Sequence, residues 1–190
     1  MAHHFGWAVA VTASAGHRVA DRPAGRADRA RRAGGARPPP GGSVGDAEAA
    51  ELVARVRSSA ARATAASLDA LASALGEPVV SVSLRAWPPD FPADIAVQRR
   101  VPYESRADSV MYRQVVAEAA EARGWAVHLY YAKDVESRAA GILGARAEEI
   151  LYGPRARLGP PWTKDHRMAL AATIVAAGRA VAPGAREASP

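Results

Sequence analysis

Apolar residues recur every three to five positions after Asp46, which is the spacing of one face of a helix. The members of this face are Leu52, Val56, Ala60, Ala63, Leu68, Leu71 and Leu75. Asp46 is a suitable N-cap, and Glu48 and Glu51 place negative charge where the helix dipole favours it. Gly76 is suited to end the helix. The pattern predicts a long amphipathic helix over residues 46–75.

Strand and helix patterns alternate after this helix. Two β-branched segments predict strands, residues 78–87 with Val80, Val82, Leu84 and Ala86 on one face, and residues 125–132 with Val127, Leu129 and Tyr131 on one face. Between them, Ser105 and Asp108 have capping-box spacing and predict a helix from about residue 106 to 123. Alternation of this kind is typical of a parallel sheet with crossover helices.

Three further helices are predicted towards the C-terminus. Asp134 is the expected N-cap of a helix that runs through Leu143, and residues 145–153 predict a short helix. Residues 153–162 contain Gly and Pro at both ends and are expected to form a loop. The last helix lies within residues 159–178.

The N-terminal region divides into two parts of different composition. Residues 7–13 and 17–21 predict two short strands that form a hairpin. Residues 22–45 consist mainly of Arg, Ala, Gly and Pro without periodicity, and are expected to be disordered. The expected organisation is N-terminal strands at 1–21, a disordered segment at 22–45, the main α/β domain at 46–178 and a disordered tail at 179–190.

The first apolar run also has a feature of a secretory signal. It ends in Ala13-Ser14-Ala15, the small-x-small form of a cleavage site, but no Lys or Arg precedes it. A buried strand is favoured, and a signal peptide stays open as the alternative. No apolar stretch approaches the roughly 20 residues of a membrane span. We therefore expect a soluble, cytoplasmic protein without a membrane partner, and the sequence indicates nothing about its oligomeric state.

Charge and cysteine content narrow the chemistry. The chain has no cysteine, which excludes disulfides and thiolate metal sites. Of the net charge of +6, residues 18–37 contribute +5, through seven arginines against two aspartates. This arm is either an incidental arginine-rich linker or a segment that holds phosphates without reading sequence. The rest of the chain is nearly neutral.

The last helix combines a polar first turn with an apolar body. Its sequence, "GPPWTKDHRMALAATIVAAG", predicts that the body is buried and that the first turn opens onto a surface or cleft. Helix N-termini attract anions, and neighbouring cations strengthen this effect. The candidate anion-binding residues are Arg155, Arg157, Lys164 and Arg167, and the candidate catalytic residues are Asp165, His166 and Glu104. Trp162 is predicted either to stack a base or to seal the core.

The predicted order of elements resembles the ribonuclease H-like fold, which includes resolvases and nucleases. That fold has an N-terminal hairpin and a third strand before the first helix, and residues 22–45 carry no signal for this strand. The resemblance implies two Mg²⁺ or Mn²⁺ ions for a nuclease, held about 4 Å apart by carboxylates. Asp165 stands where the last carboxylate would be, but the first strand has no acid and the central strand offers Arg85. No metal ligand set is predicted.

A second, local similarity lies in "DHRMALA", which resembles a signature of the enolpyruvyl transferases. There the arginine helps to hold an anionic substrate, which would point to Arg167. The match covers seven residues and the chain is too short for that two-domain fold. We interpret it as coincidence, or as the same physics reused.

Two functional hypotheses follow, and the sequence does not establish whether the protein is an enzyme. In the first, a ribonuclease H-like protein without the two-metal nuclease site binds nucleic acid. In the second, a small enzyme or binder takes an anionic metabolite, with His166 as general acid or base and Arg167 as the clamp. A structural or partner-binding domain without a site stays open as a third.

Overall fold

The computed structural model describes residues 2–4, 7–9, 11–14, 19, 45–160 and 162–180, and they form a mixed, mostly helical α/β structure. Its elements are β1 (Ala2–His4), β2 (Trp7–Val9), α1 (Asp46–Leu75), β3 (Ser81–Arg85), α2 (Ile95–Gln98), α3 (Glu104–Glu121), β4 (Ala126–Tyr130), α4 (Val135–Leu143), a 3-10 turn (Gly144–Arg146), α5 (Ala147–Tyr152), α6 (Pro154–Leu158) and α7 (Lys164–Ala180). Among these helices, none is long and apolar enough to cross a membrane.

β3 and β4 form a parallel pair with helices on both faces. Their register places Arg85 beside Tyr130 at the carboxyl ends. On one face, Leu84 packs against α3 and is fully buried. On the other, the Ser83 hydroxyl donates a hydrogen bond to the carbonyl of Ala172 in α7, at 3.2 Å. The predicted parallel pairing is confirmed.

The main core forms around α7, whose apolar body is buried as predicted. Residues 168–172 and 174–176 are buried, and Leu170 and Ile174 are completely enclosed. α4 packs along this helix, and Tyr130 completes the cluster from the end of β4. Burial of apolar side chains on several sides of α7 makes it the central helix of the structure.

The N-terminal strands include one pairing that was not predicted. The strand at Trp7–Val9 pairs antiparallel with Ala2–His4. An antiparallel bridge between Ala13 and Val19 agrees with the predicted hairpin, and the other residues of its second strand, 17, 18, 20 and 21, lie outside the described residues. β1 contacts both α3 and α7. The predicted disorder of residues 22–44 and the end of the predicted tail, residues 181–190, lie outside the described residues.

The bounds predicted for α1 are confirmed, its predicted cap is wrong, and its predicted face is confirmed in part. Gly45 is the N-cap, and Asp46 is the first helical residue, paired with Arg99. Leu52 and Val56 of the predicted face are exposed, whereas Leu68 of the same face is buried. The side towards α3 also includes Arg57, which bonds Gln114 and Glu118 of that helix.

The alternation predicted for β4 is confirmed. Val127 and Leu129 lie opposite Val82 and Leu84 on the α3 face, and Tyr130 lies on the other face, where it is 5% exposed and joins the core around α7. Tyr131, predicted for the first face, lies beyond the end of the strand and is exposed. Because helices cover both faces, alternation identifies the two faces but does not show which residues are most buried.

Two further helix predictions need correction, and one is confirmed. α3 begins at Glu104 with Tyr103 at the N-cap, while the Ser105 hydroxyl donates to the carbonyl of Pro102. The predicted loop before the last helix contains α6, which begins with Pro at a position that needs no backbone N–H. α4 has the predicted bounds, although the Asp134 side chain makes no capping hydrogen bond.

Candidate functional site

The polar first turn of α7 is a helix cap. The backbone N–H of Thr163 donates to Nδ1 of His166 at 3.2 Å, and the Thr163 hydroxyl lies 2.9 Å from the same nitrogen. The Arg167 N–H bonds the Thr163 carbonyl, so Thr163 stands at the N-cap and His166 at the third helical position. This is one of the two bonds of a capping box, from the N-cap N–H to the side chain at the third helical position, with histidine in place of Glu or Gln.

The capping bonds restrict the chemistry of His166. An Nδ1 that accepts the Thr163 N–H carries a lone pair, which assigns the proton of the neutral ring to Nε2. Burial lowers the pKa of His166, and the charge of Asp165 partly opposes this shift. The Trp162 ring lies 5.4 Å away, centroid to centroid. The ring is therefore neutral near pH 7, with a single N–H left to donate.

Arg167 joins α7 to α4 and α5. Its Nε donates to Oε2 of Glu136 at 2.8 Å, and its guanidinium carbon lies 4.7 Å from the centre of the Tyr152 ring. About three quarters of each side chain of the ion pair is buried. The hydrogen bond with Glu136 is the main reason that the pKa of Arg167 is raised. Arg167 thus has a carboxylate partner within the fold.

Four of the other residues predicted for the site are exposed and lie on three elements, while Asp165 is partly buried in the first turn of α7. Arg155 and Arg157 project from α6, Lys164 is the first residue of α7, and Glu104 is the first residue of α3. Within the described ranges, the Glu104 side chain has no hydrogen bond or ion pair with Asp165 or His166. The structure therefore brings His166 together with Thr163 and Trp162, and Arg167 together with Glu136 and Tyr152.

Trp162 packs against the main core, which agrees with the predicted role of sealing the core. Its Nε1 is buried without a hydrogen-bond partner among the described residues.

A second polar group lies at the carboxyl ends of β3 and β4. We call Arg85, Arg113, Tyr130 and Asp165 the strand-end group. Arg113 extends from α3 and is 8% exposed. Its Nη1 donates to the carbonyls of Arg85 and Ala86 at 3.2 and 2.9 Å. Its Nε and Nη2 donate to the carbonyl and hydroxyl of Ser109. Arg113 thereby ties α3 to the end of β3.

Electrostatic coupling connects the members of the strand-end group. Burial lowers the pKa of Arg113, and the like charge of Arg85 lowers it further. Burial also raises the pKa of Tyr130. The charges of Arg85 and Arg113 lower this pKa, and the charge of Asp165 raises it. The group therefore holds two guanidinium charges and one carboxylate.

The donor set does not fit the pair of Mg²⁺ or Mn²⁺ ions that the resemblance implied. These ions require several oxygen ligands, mostly carboxylates, and Asp165 is the one carboxylate in the strand-end group. Arg85 and Arg113 place positive charge where a divalent cation would need negative charge. Over the described ranges, no cluster of three or more His, Asp or Glu residues has the arrangement of a metal site.

Sequence reasoning missed Arg113 and Tyr130 as members of this group. Arg113 lies in the middle of a predicted helix without any motif, and Tyr130 is one of two adjacent tyrosines in a strand. The available signal was their position near strand ends, where open α/β sheets place ligands. No family model, curated protein or solved structure matches this chain.

Proposed function

We propose that this chain binds nucleic acid, as a ribonuclease H-like α/β protein that lacks the two-metal nuclease site. The observation that carries the proposal is the exposure of three cations, Arg155, Arg157 and Lys164, at α6 and the start of α7. Among the residues that the structure describes, neither Arg155 nor Lys164 has a carboxylate within ion-pair distance. Exposed cations of this kind gain free energy from phosphates because counterions are released.

The positions of these cations suit an extended polyanion better than a single anion. Arg155 and Arg157 are two residues apart on a helix, so they project on roughly opposite sides of α6. Lys164 follows six residues after α6 ends. A backbone that runs past α6 and the start of α7 would contact them through different phosphates. Each contact would position the strand without reading its bases.

The proposal of an anionic-metabolite enzyme is less well supported. It requires Arg167 to clamp the substrate and His166 to exchange a proton. Arg167 is already held by Glu136 and Tyr152, and Nδ1 of His166 already accepts the cap bond from Thr163. Both residues would have to abandon contacts that stabilise the fold. We therefore propose no catalytic step.

The binding test compares two variants of equal charge in the full chain. One replaces Arg155, Arg157 and Lys164 with Gln, and the control replaces the exposed Arg55, Arg62 and Arg106 with Gln. Anisotropy of labelled single-stranded DNA, duplex DNA and RNA is measured over a salt series. Loss of three phosphate contacts should lower the slope of log K against log salt by about 2 for single strands.

The control keeps the arginine-rich arm and the same net charge, so it should retain most of the wild-type slope. Equal loss in both variants would contradict the assignment to α6 and α7, and absence of binding in the wild type would overturn the proposed function. Metal-dependent cleavage of the same substrates in Mg²⁺ or Mn²⁺ would overturn the statement that the two-metal site is lacking.

A further inference from the structure

Arg113 carries a buried positive charge. A buried charge is expected to be paired, because transfer of an isolated ion out of water costs several kcal/mol. The guanidinium of Arg113 bonds three carbonyl oxygens and one hydroxyl, all neutral groups. These four bonds use four of its five N–H groups but leave its positive charge. Within the part of the chain that the structure describes, no carboxylate forms an ion pair with Arg113.

Arg85 adds a second positive charge at the same place. It is the last residue of β3, its carbonyl accepts from Arg113, and its side chain is exposed. Because Arg85 and Tyr130 are opposite each other in the parallel register, their side chains lie on the same face of the sheet. This is the α7 face, since Tyr130 belongs to the core around α7. The exposed Arg85 side chain therefore starts from the same strand end whose carbonyl the buried Arg113 guanidinium bonds.

Asp165 offsets part of this charge. It lies in the first turn of α7. Its negative charge raises the pKa of Tyr130, whereas the charges of Arg85 and Arg113 lower it. One carboxylate against two guanidinium groups leaves a net charge of about +1, and Tyr130 is neutral near pH 7. The location is also the carboxyl end of two parallel strands, where α/β structures bind ligands.

We propose that the strand-end group binds a phosphate group, with Arg85 as its direct ligand and the buried charge of Arg113 as a fixed electrostatic contribution. Arginine presents a planar fork that matches two phosphate oxygens. The phosphate belongs either to a nucleic-acid backbone or to a free phosphorylated molecule, since both offer the same oxygens. The site involves none of the cations of α6 and α7, so it does not rest on the proposed function.

The test uses inorganic pyrophosphate and the full chain at physiological salt. Titration calorimetry should show saturable binding to the wild type, and Arg85→Gln should raise the Kd at least tenfold. Arg85→Lys should give an intermediate Kd, because it keeps the charge but loses the fork. Arg100→Gln removes an exposed arginine elsewhere and is the matched control, for which the wild-type Kd is expected. The arginine-rich arm is present in every variant and contributes equally.

A Kd that is the same in wild type and Arg85→Gln would overturn the proposal, as would the absence of saturable binding. Arg113 is not substituted in this test because its loss is expected to weaken the fold. The melting temperature supplies a second measurement, since a ligand that binds the folded state raises it. Pyrophosphate should raise it more in the wild type than in Arg85→Gln.

Two additions identify the source of the phosphate and separate this site from the nucleic-acid surface. If a 5′-phosphorylated tetranucleotide competes with pyrophosphate, and Arg85→Gln weakens both, the site takes a nucleic-acid phosphate; if only pyrophosphate binds, it takes a free phosphorylated molecule. A variant with Arg155→Gln and Arg157→Gln should keep the wild-type Kd for pyrophosphate. If this variant keeps the wild-type Kd for pyrophosphate and also binds nucleic acid as the wild type does, the proposed function is contradicted and the phosphate site is not.

Discussion

Two arginines on helices differ in how the fold treats their charge. Arg167 lies in the first turn of α7, and Arg113 extends from α3 to the end of β3. Arg167 has a carboxylate, Glu136, and the face of an aromatic ring, Tyr152. Arg113 is more deeply buried, yet all its bonds go to neutral oxygens. The first arginine is therefore neutralised by the fold, whereas the second keeps its charge.

This difference shows that the surroundings of a cation in sequence do not indicate its availability to a ligand. Arg167 has a polar neighbourhood in the sequence and resembles a binding residue. Its partner Glu136 is 31 residues away, so the ion pair is visible only after α4 packs on α7. The apparent anion clamp is a structural contact, whereas Arg113, a buried arginine in no motif, forms no ion pair with a carboxylate of the described ranges.

The largest expected effect is that of Arg113→Met. The substitution removes the four hydrogen bonds and leaves the carbonyls of Arg85 and Ala86 without this donor. Buried acceptors without partners cost about 1–3 kcal/mol each, less where water reaches them, so we expect a loss of about 3 kcal/mol in the free energy of unfolding. Urea denaturation measures it. The control Arg106→Met, on the exposed side of the same helix, should change it by less than about 0.5 kcal/mol.

A loss below about 1 kcal/mol for Arg113→Met would mean that water replaces the hydrogen bonds at the strand end. In that case the deeper burial of Arg113 would not make it more important for stability than Arg167.

Arg167→Leu is expected to cost about 1–2 kcal/mol. The variant loses the bond with Glu136 and the contact with the Tyr152 ring, and leaves a carboxylate that is three quarters buried without its partner. The pair is partly solvated, which keeps the effect below that of a fully buried ion pair. A double-mutant cycle with Glu136→Gln, measured by urea denaturation, should give a coupling energy of about 0.5–1 kcal/mol. Additive effects of the two substitutions would show that Arg167 is not held by Glu136.

The smallest effect concerns the pH dependence of His166. Because burial lowers its pKa in the folded chain, the unfolded chain takes up a proton first as the pH falls below the ordinary value of about 6.5. Stability should therefore decrease between pH 7.5 and 5.5. In His166→Gln this contribution is absent, and Gln can still accept the Thr163 N–H as in an ordinary capping box.

Thermal denaturation of the two proteins at pH 7.5 should then agree to within about 0.5 kcal/mol, with a smaller decrease at pH 5.5 in the variant. The remaining histidines are common to both proteins and act as the internal control. Parallel pH profiles would contradict the neutral, cap-bound histidine.

Local patterns predicted elements better than faces. The bounds of α1 and α4 were confirmed because helix spacing and a terminal glycine or aspartate are signals within one segment. The two faces of β4 follow the predicted alternation, but the predicted face of α1 is only partly right, because Leu52 and Val56 are exposed. Packing between distant segments decides which side of a helix is buried, and the partners of α1 lie in α3, where Gln114 and Glu118 bond Arg57.

The candidate site shows the same limit. Sequence reasoning identified the first turn of α7 as polar and its body as buried, and the burial is confirmed. It did not foresee that Thr163 and His166 cap the helix, because His is not a usual capping-box residue. It also could not foresee the strand-end group, whose members come from two strands and two helices.

The sequence by itself determined the alternation of strands and helices, the apolar body of the last helix and the near neutrality of the chain outside its arginine-rich arm, because these depend on neighbouring residues. Only the tertiary structure decided which cations are neutralised. Electrostatic partners are set by distance in space, and Glu136, Arg167, Arg85 and Arg113 are brought into range by packing between elements. For this reason, the proposed phosphate site follows from the fold and not from the motif in the last helix.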